Sequence, residues 1–216
     1  MRLGWDDSAY EAGCAATLAC LLAGEGVAGI TVHGRTTEQR FKGSCRREGI
    51  KRVVDAVGDA TGHPSSGGVP VLGNGDVRSA RDAIDMMNET GCAGVMIGRG
   101  SFARPWIFRE AWTLQTTGDL PAPMTEEEKV AWLTRLFDRL RTYRGDRPAM
   151  HVMRSKLARL GNSLGQSPRE GHSKPLKEAV RVALTPAEIL EALARWPERE
   201  AQARAEQAAW VGRERA

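Results

Sequence analysis

Residues 69–76 read Val69-Pro70-Val71-Leu72-Gly73-Asn74-Gly75-Asp76, an apolar run of strand character that stops in a glycine-rich polar turn. Two further segments repeat the arrangement. Residues 28–32 lead into His33-Gly34-Arg35-Thr36, and residues 93–97 lead into Gly98-Arg99-Gly100. Helical periodicity fills the intervals between them, so the chain reads as α/β. Strands that each end in glycine and a polar residue are how a (β/α) barrel assembles a site at one rim. The last two segments fall on adjacent strands, and backbone N–H groups after such strands commonly hold a phosphate. The first functional expectation is therefore a phosphorylated cofactor or substrate.

Outward from these turns, residues 7–23 read as one helix with apolar positions at Ala12, Ala15, Ala16, Leu18, Ala19 and Leu22. A second helix is expected over 48–57 and a third over 80–88, capped by Ser79 and ended by Thr90-Gly91. Pro105 opens a helix that carries Trp106, Ile107, Phe108 and Trp112. Residues 63–68 form a loop remote from the glycine-rich turns. The Pro-rich stretch 118–123 marks a boundary between an α/β part, 1–118, and an all-helical part, 124–216. In the latter, helices are expected over 125–143, 148–162, 175–183, 186–195 and 197–213. Capping boxes at Thr125/Glu128 and Thr185/Glu188 start two of them.

The totals narrow the classes. Hydrophobic residues make up 41% of the 216, enough for a core, and no segment has the run of about 18 apolar residues that a membrane span needs. No apolar stretch with a cleavage site stands at residues 1–7, so a cytoplasmic protein is expected. The four cysteines have no metal-ligand spacing and read as small buried thiols, although Cys45 lies beside Arg46 and Arg47. The net charge of +4 is uneven: residues 1–124 hold 13 basic against 14 acidic side chains, and 125–216 hold 18 against 13. A neutral α/β part followed by a basic helical part suits a protein that meets a polyanion.

Strand counting adds a constraint. Three strands are complete and residues 1–3 look like the tail of a fourth, whereas a closed barrel of this class has eight. The sheet is then either small and open or half of a barrel, with parallel edges unpaired.

Four segments in order carry a family resemblance: Met-Arg-Leu-Gly-Trp-Asp-Asp at 1–7, Gly-Ile-Thr-Val-His-Gly-Arg-Thr-Thr-Glu-Gln-Arg-Phe-Lys-Gly at 29–43, Val-Pro-Val-Leu-Gly-Asn-Gly-Asp-Val at 69–77, and Gly-Val-Met-Ile-Gly-Arg-Gly-Ser-Phe-Ala-Arg-Pro-Trp-Ile-Phe-Arg-Glu at 94–110. Together they resemble the C-terminal half of a tRNA-dihydrouridine synthase of the bacterial B-type, NifR3-like branch. The resemblance implies the second half of a (β/α)8 TIM barrel, from a remnant of strand five to strand eight, followed by a helical tRNA-binding domain. It implies FMN as cofactor, NADPH as reductant and uridine in tRNA as substrate, reduced at its C5–C6 double bond. Under it His33, Asn74, Gly75, Asp76, Gly98 and Arg99 hold FMN, Arg2 and Arg35 lie near the uridine and its phosphate, and Arg154 meets RNA.

The departures matter equally. The family's Asn-x-Gly-Cys-Pro loop, which carries the proton-donating cysteine, has no counterpart here, and no catalytic residue is assigned within the chain. The expectation is an N-terminally truncated form that is inactive alone, binds flavin weakly or not at all, is poorly soluble and self-associates through its exposed half-barrel edges. Two other readings stand beside it: an inactive RNA-binding scaffold, and another FMN-barrel reductase of the dihydroorotate dehydrogenase kind.

Overall fold

The computed structural model describes residues 1–160 and 173–199, together with 201, 202 and 205. The chain forms two compact units, one of residues 1–101 with 105–121 and the other of residues 102–104 with 122–216.

In the first unit α1 (Asp7–Glu11) and α2 (Cys14–Gly24) precede β1 (Ile30–His33), followed by α3 (Arg47–Thr61), β2 (Val71–Asn74), α4 (Ala80–Thr90) and β3 (Gly94–Met96). The short α5 (Gly100–Ala103) begins in this unit, and α6 (Ile107–Thr117) completes the series. The strands form one parallel sheet in the order β1-β2-β3. Residues 1–3 lie alongside β1: Arg2 bridges to His33 in parallel, His33 N–H donates to Met1 O at 2.9 Å, and Leu3 N–H donates to Arg35 O at 3.2 Å.

Side chains alternate across the sheet as strand geometry requires. Ile30, Val32 and Val71 face the helices and join Ile50, Val53, Val57, Ala83 and Met86 in the core. Gly73 lies on that same face because a Cβ there would stand 2.7 Å from Met86 Sδ. On the other face His33 and Asn74 are half-buried and Met96 is 48% exposed. In this series α2 packs on α3, α3 on α4 and α4 on α6.

Several local expectations shift. The helix expected over 7–23 is two helices, because Gly13 takes φ +71 between them. The buried face of α2 is Ala15, Ala19 and Ala23, while Leu18 is 47% exposed and Cys14 is exposed rather than a buried thiol. Strands β1 and β2 begin two residues later than their apolar runs. Pro70 has no N–H to give a ladder but accepts from Ile30 N–H at 3.0 Å, so the ladder starts there. Helix α3 runs on to Thr61, past the expected end at 57, and Pro64–Ser66 form a 3-10 turn inside the 63–68 loop.

In the second unit α7 (Glu126–Arg144), α8 (Asp146–Leu160), α9 (Lys174–Val182) and α10 (Pro186–Ala194) are helical. Thr125 and Glu128 form the expected reciprocal cap of α7, and Thr185 caps α10 with Pro186 in its first turn. Helices α7 and α8 pack together, α9 and α10 pack together, and both of the latter touch α8. Leu133, Phe137, Met153, Leu157, Val180, Ile189 and Leu193 are buried. The helix expected over 197–213 lies mostly outside the described residues.

Candidate cofactor site at the strand ends

His33, Asn74 and Met96 stand in register at the C-terminal ends of the three strands, so the glycine-rich turns open at one rim. Gly34 N–H donates to Asn74 O at 2.9 Å and Arg46 N–H donates to Gly34 O at 2.7 Å, which closes the long loop 34–46 onto β2. Inside that loop Thr36 N–H donates to Gln39 Oε1 at 3.0 Å, and Arg2 Nη1 donates to Thr36 O and Arg40 O at 2.8 and 3.0 Å.

Arg35 is 2% exposed. Its Nη2 donates to Asp76 Oδ2 and to Gly43 O, both at 2.6 Å, and its Nε donates to Lys42 O at 3.1 Å. Asp76 Oδ2 also accepts from Cys45 N–H at 2.8 Å. Asp76 takes φ +50, in the left-handed region that Asp tolerates better than most residues with a Cβ. Gly75 before it takes φ +133, and Cys45 Sγ occupies the space on its Cβ side.

The electrostatics follow from this packing. Burial alone would raise the Asp76 carboxyl, but the bonds donated by Arg35 and by Cys45 N–H outweigh it and hold the group below its ordinary range. Burial, reinforced by the charges of Arg2 and Arg35, pushes His33 down, so its imidazole is neutral at pH 7. Burial and the Asp76 charge push the Cys45 thiol up; the thiol is protonated at neutral pH, against the activation that Arg46 and Arg47 suggest in the sequence.

Three side-chain atoms among the described residues are buried without a hydrogen-bond partner, and all three belong to this cluster: His33 Nδ1, Arg35 Nη1 and Asp76 Oδ1. Buried polar atoms are ordinarily paired, so an orphaned set gathered at strand ends is what a polar ligand would complete. Beside it Asn74 Nδ2 donates to Met96 O at 3.4 Å. Gly98 has open space on its Cβ side, and the exposed Arg99 guanidinium lies over the Phe41 ring at 4.7 Å. A neutral imidazole, a carboxylate acceptor, an amide, an open glycine and the exposed Arg99 guanidinium stacked on Phe41 form a set of groups that fits a phosphorylated, hydroxylated cofactor such as FMN.

The six residues expected to hold a cofactor therefore all lie on the C-terminal ends or the following turns of β1, β2 and β3. The three arginines expected near substrate or RNA each donate to protein carbonyls. Arg35, expected beside the uridine and its phosphate, is a buried strut between two loops, because its fork finds one carboxylate and two carbonyls. Arg2 is turned to the loop carbonyls, and its guanidinium lies 5.9 Å from the Phe41 ring centre. Arg154, in the helical unit, donates to Val180 O and Ala183 O at 3.3 and 2.7 Å at the end of α9. These bonds tie α8 to the C-terminal end of α9. Sequence reading missed the placement of Cys45, which packs between Gly34 and Gly75 and against the helix-side core.

The first unit is thus an α/β arrangement: a three-stranded parallel sheet packed by helices, with polar side chains gathered at the C-terminal ends of its strands. Residues 1–193 match the family described as dihydrouridine synthase (Dus). The chain belongs to that family. It is 32% identical over 168 residues to a probable tRNA-dihydrouridine synthase of Rickettsia prowazekii, covering 77% of this chain and 47% of that protein. It is 36% identical over 157 residues to a probable tRNA-dihydrouridine synthase of Mycobacterium tuberculosis, covering 73% and 37%. Against the tRNA-dihydrouridine synthase B of Shewanella oneidensis it is 36% identical over 126 residues, covering 56% and 36%. The chain thus spans less than half the length of these relatives. None of the helices among the described residues is long and apolar enough to cross a membrane.

Proposed function

We propose that this chain supplies the cofactor-holding part of an FMN-dependent reduction of uridine to 5,6-dihydrouridine in tRNA, with NADPH as reductant. The observation that carries the reading is the set of orphaned atoms on His33, Arg35 and Asp76, at the ends of strands whose turns also present Gly98 and Arg99. The names of the relatives support the same substrate class. On this reading the sheet is the second half of a (β/α)8 barrel with residues 1–3 as the end of its fifth strand. The α/β part, 1–118, holds the cofactor and the helical part, 124–216, serves tRNA.

Each residue of the rim then has a task. Arg99 sets a charge-assisted fork against the phosphate, and Gly98 lets that phosphate approach the backbone. Asp76 accepts from a hydroxyl through Oδ1, Asn74 and Gly75 shape the turn around it, and neutral His33 offers Nδ1 to a polar group of the cofactor. FMN held there and first reduced by NADPH would supply the hydride for one carbon of the C5–C6 double bond, the other carbon taking a proton. The Asn-x-Gly-Cys-Pro segment that carries the family's proton donor is not among these 216 residues. Cys45 does not replace it, since its Sγ is packed against Gly34, Gly75 and the core. Arg2 at the rim and the basic helical part furnish contacts to the RNA backbone, with Arg154 contributing through the α8–α9 pair it ties together.

The test is direct. The purified chain is expected to bind FMN measurably and tRNA with an affinity that falls steeply as salt rises. tRNA binding with no detectable flavin binding would instead support an RNA-binding scaffold, and flavin binding with no tRNA affinity would support another FMN reductase.

A further inference from the structure

Arg35 follows His33 by two residues, and the hydrogen bonds its guanidinium makes run to the protein's own turns. Its guanidinium spans two separate turns: Asp76 on the β2 turn, and the carbonyls of Lys42 and Gly43 on the far limb of the β1 loop. Asp76 in turn receives the N–H of Cys45, the residue at which that loop starts its return to α3. The contacts converge on one oxygen. Arg35 Nη2 and Cys45 N–H both use Oδ2, which leaves Oδ1 buried and without a partner. The backbone of Asp76 is at φ +50, a conformation that persists where surrounding contacts fix it.

We propose that Arg35 is a positioning residue for the cofactor rather than a contact to RNA: it pins Oδ2 of Asp76 and the 42–45 limb together, so that Oδ1 is the oxygen left to the ligand. This rests on the reading that the rim binds FMN. Arg35 acts through Asp76, and its rigid fork suits the role because one guanidinium engages a carboxylate and two carbonyls in fixed directions. A lysine brings the charge but a single nitrogen, and does not reproduce all three contacts.

The experiment is a double-mutant cycle read as FMN dissociation constants, from quenching of flavin fluorescence by the whole chain, with circular dichroism checking that each variant folds. The variants are R35K, R35Q, D76N and R35K/D76N. R35K is expected to weaken FMN binding by about tenfold in the wild-type background and by less than about twofold in the D76N background, because with an amide at 76 the ion pair is already gone. R35Q is expected to weaken it at least as much as R35K; should R35Q not fold, the R35K cycle decides alone. A merely structural arginine would cost the same in both backgrounds. Equal cost in both, or R35K binding like wild type, overturns the positioning role and leaves the flavin reading intact. Failure of the wild-type chain to bind FMN overturns the flavin reading, and this role with it.

Discussion

The Cys45 thiol fills the volume on the Cβ side of Gly75: a methyl built on that glycine would stand 2.6 Å from Sγ, and one built on Gly34 would stand 2.4 Å from the same atom. The β1 and β2 turns thus pack on one sulfur: Gly34 is a glycine for steric reasons, and Gly75, at φ +133, for conformational ones as well. Gly34→Ala is expected to destabilise the chain by about 1–3 kcal/mol, the usual cost of overpacking. Shortening the neighbour in Gly34→Ala/Cys45→Ala should recover part of that loss. Urea denaturation midpoints of the two variants check it; equal midpoints would show that the thiol is not the obstruction.

Helix α4 depends on a cap that the sequence announces. Ser79 Oγ accepts from Asp82 N–H at 3.2 Å while Asp82 Oδ2 accepts from Ser79 N–H at 2.9 Å. Ser79→Ala is expected to cost about 1 kcal/mol. Because α4 packs on α3 and α6, the loss should appear as a lower melting temperature rather than as local fraying.

His33 gives the site a pH signature. Its folded pKa lies below the unfolded value of about 6.5, so below that pH the unfolded chain binds a proton more readily than the folded one. The stability associated with its neutral form is complete above about pH 6.5 and is lost as pH falls through that value toward the folded pKa. An NMR titration of the His33 ring protons should show a midpoint below the ordinary imidazole value of about 6.5. Arg2→Ala should move the His33 midpoint up by removing one of the charges that depress it. A His33 midpoint at or above about 6.5 would refute the burial argument.

In the helical unit Lys129 Nζ and Glu126 Oε1 pair at 2.8 Å, both side chains are buried, and Trp196 Nε1 donates to Glu126 Oε2 at 3.1 Å. Lys129→Met removes one half of this buried pair and is expected to cost about 3–5 kcal/mol. The double replacement Glu126→Leu/Lys129→Met should cost less than Lys129→Met alone. Chemical denaturation of the three proteins measures the difference.

The parts of this chain legible in its sequence are those fixed by near neighbours. Ser79 and Thr125 announced their helices because a cap is completed within three residues, and Gly91 ends α4 in the left-handed conformation its position calls for. The rim was legible because each turn follows its own strand. What was not legible depends on distant partners. Arg35 meets an Asp 41 positions away and Cys45 meets the same Asp 31 positions away, so nothing local distinguishes a buried strut from a rim charge. The late start of β1 depends on the Pro70 carbonyl, 40 residues on, and the break at Gly13 separates two segments whose apolar spacing alone reads as continuous.

The central claim is that the rim formed by His33, Asn74, Gly75, Asp76, Gly98 and Arg99 holds FMN, with Arg99 meeting its phosphate. The most direct measurement is a fluorescence titration of the chain with FMN and, in parallel, with riboflavin, for wild type and Arg99→Ala. The account predicts saturable binding, stronger for FMN than for riboflavin, and a preference that Arg99→Ala removes while leaving riboflavin affinity unchanged. No saturable binding of either flavin, or equal affinity for both in the wild-type chain, would contradict it.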